Sequence, residues 1–245
     1  MTSLLTIREN WVENIRPRPP WFRKILRGVV YIISNCIARV DVRGRDHIPG
    51  SGPVIVAGNH FTIYEPPMMI YAVPRPLNIL AAGDLNWPLT QAWALMLYGY
   101  IPTNRESFKP STIRESVRSL NQGEVVGIFP EAGMNPEQQL RRGKPGVAYL
   151  SALTEAPVLP IGFSGLSERE QYWRNFTRPL LKIRIGNLLP PCQLSGKNHK
   201  KKAELEQYTD MVMCHIAGLI PPEFRGVYAN YPKVSQYVIY DDLED

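Results

Sequence analysis

The stretch Asn59-His60-Phe61-Thr62-Ile63-Tyr64-Glu65 sets a histidine and a carboxylate a short turn apart, directly after an apolar run. An imidazole with an ordinary pKa near 6.5 can take a proton from a hydroxyl at neutral pH. It does so well when a carboxylate holds its other ring nitrogen in the donor tautomer. His60 is therefore a candidate general base, and Glu65 is placed to orient it. The run Pro53 to Ala57 reads as a buried strand, and Gly58-Asn59 as the bend that brings His60 to its exposed end.

The elements around this block alternate. Val40 to Arg43 reads as a short strand and Pro66 to Tyr71 as the start of the helix behind the histidine loop, where early prolines are tolerated. Leu77 to Ala82 is the next strand, Leu85 to Leu97 a helix capped by Asp84, and Ser111 caps a helix through Leu120. Strands at Val125 to Phe129, Val158 to Phe163 and Leu180 to Ile185 and helices at Pro145 to Leu153 and Lys201 to Leu219 complete the pattern. This predicts an α/β fold, a mostly parallel central sheet flanked by helices, with ligands beyond the carboxyl ends of the strands. His60, Arg105 and Glu131 all follow strand-like stretches. The segment from Pro221 to Asp245 is tyrosine-rich and irregular, and no repeat is visible.

Residues 1–40 form a separate N-terminal basic, amphipathic segment, ahead of a main domain over 41–245. From Trp21 to Val40 the apolar residues recur at helical spacing, and Arg23, Lys24, Arg27, Ser34, Asn35 and Arg39 fall opposite. Such a helix suits the headgroup region of an anionic membrane surface, or packing on its own domain. The net charge of +6, crowded into the first 45 positions, points to an anionic partner, and no nucleic-acid motif is present. No apolar run is long enough to span a bilayer, and no signal peptide is expected. Cys36, Cys192 and Cys214 are odd in number and widely spaced, so a reducing compartment fits better than a disulfide framework. The histidines and cysteines lack metal-ligand spacing, and no catalytic metal is expected.

Four blocks in one order carry a resemblance: Asn59-His60 with Glu65; Gly99-Tyr100-Ile101-Pro102-Thr103-Asn104-Arg105; Phe129-Pro130-Glu131-Ala132-Gly133; and Ala156-Pro157-Val158-Leu159-Pro160-Ile161-Gly162. Together they resemble the glycerolipid acyltransferases, a family that includes 1-acylglycerol-3-phosphate acyltransferase, over roughly residues 40 to 228. In that family a histidine and an aspartate separated by four residues form the catalytic pair. His60 and Glu65 keep the spacing, with glutamate in place of aspartate.

The resemblance implies that His60 deprotonates an acceptor hydroxyl, which attacks the thioester of acyl-CoA or acyl-carrier protein without a covalent acyl-enzyme; no cofactor is implied. It implies that Arg105 holds an acceptor phosphate and that Glu131, Ala132 and Gly133 shape the acceptor pocket. The family usually reads Phe-Pro-Glu-Gly and then Thr or Ser, often followed by Arg. Here Ala132, Gly133 and Met134 stand instead, so Arg141, Arg142 or Lys144 would have to supply a phosphate or CoA contact. The implied acceptor is a lysophospholipid, first 1-acylglycerol-3-phosphate, at the cytoplasmic face of a membrane on which the protein is peripheral or monotopic. Glycerol phosphate, an ornithine lipid or a glycolipid remain alternative acceptors, as does a catalytically weak relative that only binds lipid or acyl-CoA.

Overall fold

The computed structural model describes residues 16–82, 97–104, 109–165, 177–195 and 199–231, with 172, 175 and 234. Seven strands form one sheet: β1 (Arg39–Arg43), β2 (Val54–Gly58), β3 (Leu77–Ala82), β4 (Ile101–Thr103), β5 (Val125–Ile128), β6 (Val158–Ser164) and β7 (Leu180–Ile185). Their order is β1-β7-β6-β2-β5-β3-β4, parallel at every pairing except β6 with β7. The mostly parallel α/β sheet expected from the alternating pattern is therefore present. Among the described residues the α-helices are α1 (Pro20–Ile37), α2 (Glu65–Ala72), α3 (Pro110–Asn121), α4 (Gly146–Thr154) and α5 (His199–Gly218).

β2 is the fourth of seven strands and is buried along its whole length, which follows from an unbroken apolar run covered on both faces. Val54 and Val56 point into one core with Met68 and Met69 of α2, while Ile55 and Ala57 point into the other with Val147, Leu150, Val212 and Ile216. Parallel pairing puts Val54 to Ala57 of β2 beside Val125 to Ile128 of β5. Both chains then leave the sheet together, and this adjacency brings His60 near Glu131.

Several boundaries differ from the sequence reading. β2 takes in Gly58, whose missing side chain leaves room for the Phe163 ring. α3 begins at Pro110, a first-turn proline with Lys109 before it, rather than at a Ser111 cap. α1 stops at Ile37 because Ala38 turns to extended backbone, so Val40 belongs to β1 alone. The expected helix at Leu85 to Leu97 and its Asp84 cap fall almost wholly outside the described residues, as do Arg105 and the tail beyond Val234.

α1 packs on its own domain with only part of its apolar face and with two residues of its polar face. Arg23 and Ser34 are buried, and Leu26 and Val30 pack against the core, while Trp21, Ile25, Val29 and Ile32 form an exposed apolar ridge, with Ile32 at 64% exposure. The cause is a buried polar anchor. Arg23 donates to Asn78 Oδ1 at 2.7 Å and lies 3.8 Å from Glu124 Oε1, and Asn78 donates to Glu124 Oε2 at 2.7 Å. A cation seated this way fixes the helix rotation, and the strongly apolar ridge is left outside. Replacing Arg23 by Ala is expected to cost about 2–3 kcal/mol, because Asn78 and Glu124 lose a buried partner. Lys24→Ala, at an exposed position, is expected to stay within about 0.5 kcal/mol, with urea unfolding as the measurement.

Candidate active site

The site begins where β2 ends. Asn59 continues the strand pairing with its side chain, donating to the Phe163 carbonyl at 3.0 Å and accepting from the Phe163 amide at 2.8 Å. The next residue, His60, is thus held at the end of the central strand, with its ring stacked on Phe129 at 4.3 Å between centroids. His60 Nδ1 lies 3.4 Å from Glu65 Oε2, long for a hydrogen bond but inside a nearly dry site, since both residues are buried. This contact sets the proton on Nδ1. Among the described residues nothing bonds Nε2, which is left as the acceptor nitrogen.

Glu65 opens α2 and is fixed from the other side by Thr62. The Thr62 amide donates to both carboxylate oxygens, at 2.9 and 2.8 Å, and its hydroxyl lies 3.1 Å from each. The glutamate reaches back from the first residue of α2 to a backbone amide three residues earlier, across the turn in which the Tyr64 amide donates to the Thr62 hydroxyl at 3.1 Å. The extra methylene relative to aspartate serves that reach. One carboxylate therefore caps the loop and orients His60, and the helix N-terminus favours its charge.

Glu131, in the block that the resemblance assigns to shaping the acceptor pocket, turns its carboxylate to backbone. It is buried; Oε1 accepts the His60 amide at 2.9 Å and Oε2 the Arg141 amide at 3.0 Å. Both oxygens are engaged with backbone, so the side chain ties the histidine loop to the loop after β5. Ala132, next to it, has φ 56°, a left-handed conformation that costs a residue with a Cβ on the order of 1 kcal/mol and suits glycine. A side chain at Gly133 would meet open space. The Arg141 guanidinium donates to Asn135 Oδ1 at 2.7 Å, and Arg141, Arg142 and Lys144 are all exposed. The structure thus joins His60, Glu65, Glu131 and the Arg141 backbone.

A second set of contacts, which the sequence reading did not pick out, braces this loop. The Asn135 amide donates to the His60 carbonyl at 3.0 Å. Leu140 is held from both sides, its amide donating to Phe224 and its carbonyl accepting from Val227. Gly226, at φ 48°, lies so close to Leu140 that any Cβ would overlap its carbonyl oxygen. The Tyr228 hydroxyl accepts from the Gly143 amide at 3.3 Å and donates to Asp210 at 3.0 Å. The signal for Thr62 was its spacing three residues before Glu65; the Asn135 amide and the Phe224 carbonyl are backbone groups and leave no such pattern. Among the described residues no group of His, Cys, Asp and Glu could hold a metal ion.

Burial pushes the Glu131 carboxyl up to about 7, against the His60 and Arg141 amides and the Arg141 charge, which favour the anion. A raised folded pKa gives stability that is intact below about pH 4.5 and lost as pH rises toward 7. The loss is on the order of 3 kcal/mol. Glu131→Gln removes this titration. The expected outcome is that any advantage of the unsubstituted protein over Glu131→Gln in urea midpoint shrinks between pH 5 and pH 8. An advantage that grows over that range would contradict the burial argument.

The chain matches the model of the family described as Acyltransferase over residues 39–164. It is 30% identical over 126 residues to the 1-acyl-sn-glycerol-3-phosphate acyltransferase of Borreliella burgdorferi, covering 50% of each chain. It is 29% identical over 180 residues to 1-acyl-sn-glycerol-3-phosphate acyltransferase alpha of Homo sapiens, covering 71% of this chain and 62% of that one. The chain therefore spans half of the first relative's length and less than two thirds of the second's. The crystal structure of the 1-acyl-sn-glycerophosphate (LPA) acyltransferase PlsC from Thermotoga maritima has a similar fold, with a TM-score of 0.59. The identity there is 21%, with 78% of this chain and 76% of that chain covered. The family match runs from β1 through β6 and takes in the whole assembly around His60, Glu65 and Glu131, so the chain belongs to the acyltransferase family.

Proposed function

We propose that the protein moves a fatty acyl group from acyl-CoA or acyl-carrier protein onto a lysophospholipid hydroxyl, 1-acylglycerol-3-phosphate being the first candidate. The observation that carries this is the oriented base: Nδ1 of His60 turned to Glu65, and Nε2 without a partner among the described residues. In the proposed reaction Nε2 takes the acceptor proton as the hydroxyl oxygen attacks the thioester carbonyl. The tetrahedral centre then collapses, the C–S bond breaks, and the imidazolium returns the proton to the departing thiolate. Glu65 stabilises the imidazolium without becoming protonated, and Phe129 walls one face of the ring against water. The relatives named above act, by their names, on 1-acyl-sn-glycerol-3-phosphate, which supports the acceptor class. Ala132 and Gly133 carry no hydroxyl, so a different acceptor is the second reading.

The same reading places the protein on the cytoplasmic face of an anionic membrane. Among the described residues no helix is long and apolar enough to cross one. The ridge of Trp21, Ile25, Val29 and Ile32 instead offers an apolar face that a bilayer surface would cover, next to the exposed Lys24. Both acceptor and product of the proposed reaction reside in such a bilayer.

Two measurements test these statements. Purified protein incubated with acyl-CoA or acyl-carrier protein and a panel of lysolipids, glycerol phosphate and ornithine lipid is expected to acylate 1-acylglycerol-3-phosphate. His60→Ala is expected to lower kcat by about 10²–10⁴-fold, and Glu65→Asp to lower kcat with little change in KM. Full activity of His60→Ala would overturn the mechanism, and acylation of another acceptor alone would select the second reading. Separately, the double substitution Ile25→Asp with Ile32→Asp is expected to abolish sedimentation with phospholipid vesicles; unchanged sedimentation would remove α1 from the membrane contact.

A further inference from the structure

We propose that one flank of α1 forms a seat for the phosphate of an anionic bilayer phospholipid, built by Arg27 and Arg45 beside the stacked rings of Tyr31 and Tyr71. Arg27, Tyr31 and Asn35 fall four residues apart and line that flank. Tyr31 stacks on Tyr71 of α2 at 4.9 Å and 11°, and Asn35 Nδ2 donates to the Tyr71 hydroxyl at 3.1 Å. Arg45, from the turn after β1, stands over the Tyr71 ring at 5.5 Å, and Arg178 donates to the Asn35 carbonyl at 2.9 Å. Arg45 thus stands on the aromatic pair, Arg178 is tied to Asn35 beside it, and Arg27 lies one helical turn before Tyr31.

Their charge is not matched. Arg27 Nε is buried with no hydrogen-bond partner, and among the described residues no carboxylate pairs with Arg27 or Arg45. Burial, and then the neighbouring charge of Arg45, push the Arg27 guanidinium below its ordinary pKa. Two planar forks held near each other by separate elements, with no counter-ion between them, suit an oxyanion that accepts from both. The flank adjoins the ridge of Trp21, Ile25, Val29 and Ile32, so a phosphate there would have acyl chains running along the ridge. Tyr71 is six residues beyond Glu65, about 9 Å along the α2 axis, so the seated lipid is not the one that reacts at His60.

The seat rests on the membrane-docked reading of α1, and the test separates the two. Flotation is measured with vesicles of phosphatidylcholine alone and of phosphatidylcholine with phosphatidylglycerol at physiological salt. The unsubstituted protein is expected to prefer the anionic vesicles. The double substitution Arg27→Gln with Arg45→Gln is expected to reduce that preference about tenfold while keeping its binding to phosphatidylcholine. Arg114→Gln with Arg118→Gln, which removes the same charge from the exposed face of α3, is expected to reduce it no more than about threefold. Because the two guanidiniums repel each other, the Arg27 and Arg45 substitutions are expected to leave the urea midpoint unchanged or raised. A preference that survives them, or that falls equally in the Arg114 and Arg118 variant, overturns the seat while vesicle binding through the ridge still stands. Failure of the unsubstituted protein to float with either vesicle overturns both.

Discussion

One buried carboxylate organises the site. Glu131 follows β5 and spends both oxygens on backbone amides, one from the loop that carries His60 and one from the loop that carries Arg141. A parallel sheet delivers two chain segments side by side at its carboxyl edge but does not join them once they leave it. The Glu131 side chain supplies that join, in a place where burial works against its charge. Removing water from around the carboxylate strengthens the two hydrogen bonds for the same reason that it disfavours the anion. The histidine is thus placed by backbone, with its own side chain left for chemistry.

Glu65 solves a second problem with the same economy. The residue has to begin a helix that contains two early prolines and also to orient an imidazole. By reaching back to Thr62 it closes the loop between strand and helix, and by lying against Nδ1 it selects the tautomer. The glutamate is longer than the family's usual aspartate, and the added length is used in the contact to Thr62.

Much of this was legible in the chain itself. The unbroken apolar run before Asn59 could only be a central strand, and the alternation of strands and helices gave a mostly parallel sheet. The pairing of His60 with Glu65 was visible in their spacing. The rotation of α1 was not, because an apolar face suits a membrane surface as well as the protein's own core, and periodicity cannot choose between them. That choice is made by Arg23, and its partners Asn78 and Glu124 lie far away in sequence. Glu131 was noticed for the right block and given a different role, since a carboxylate that binds backbone amides looks the same in sequence as one that meets a ligand. The loop contacts of Leu140 with Phe224 and Val227 run between backbone groups and leave no residue-type trace.

The backbone clasp of Leu140 between Phe224 and Val227 also bears on how the protein is made. His60 emerges from the ribosome early, with β2 behind it, yet the loop that braces it is secured only by turns near residue 226. Domains assemble as their segments become available, so the nascent chain carries the base and its carboxylate long before either is held in place. The geometry of the candidate site is therefore among the last properties the chain acquires, and a half-made polypeptide would present His60 and Glu65 in a loop not yet fastened.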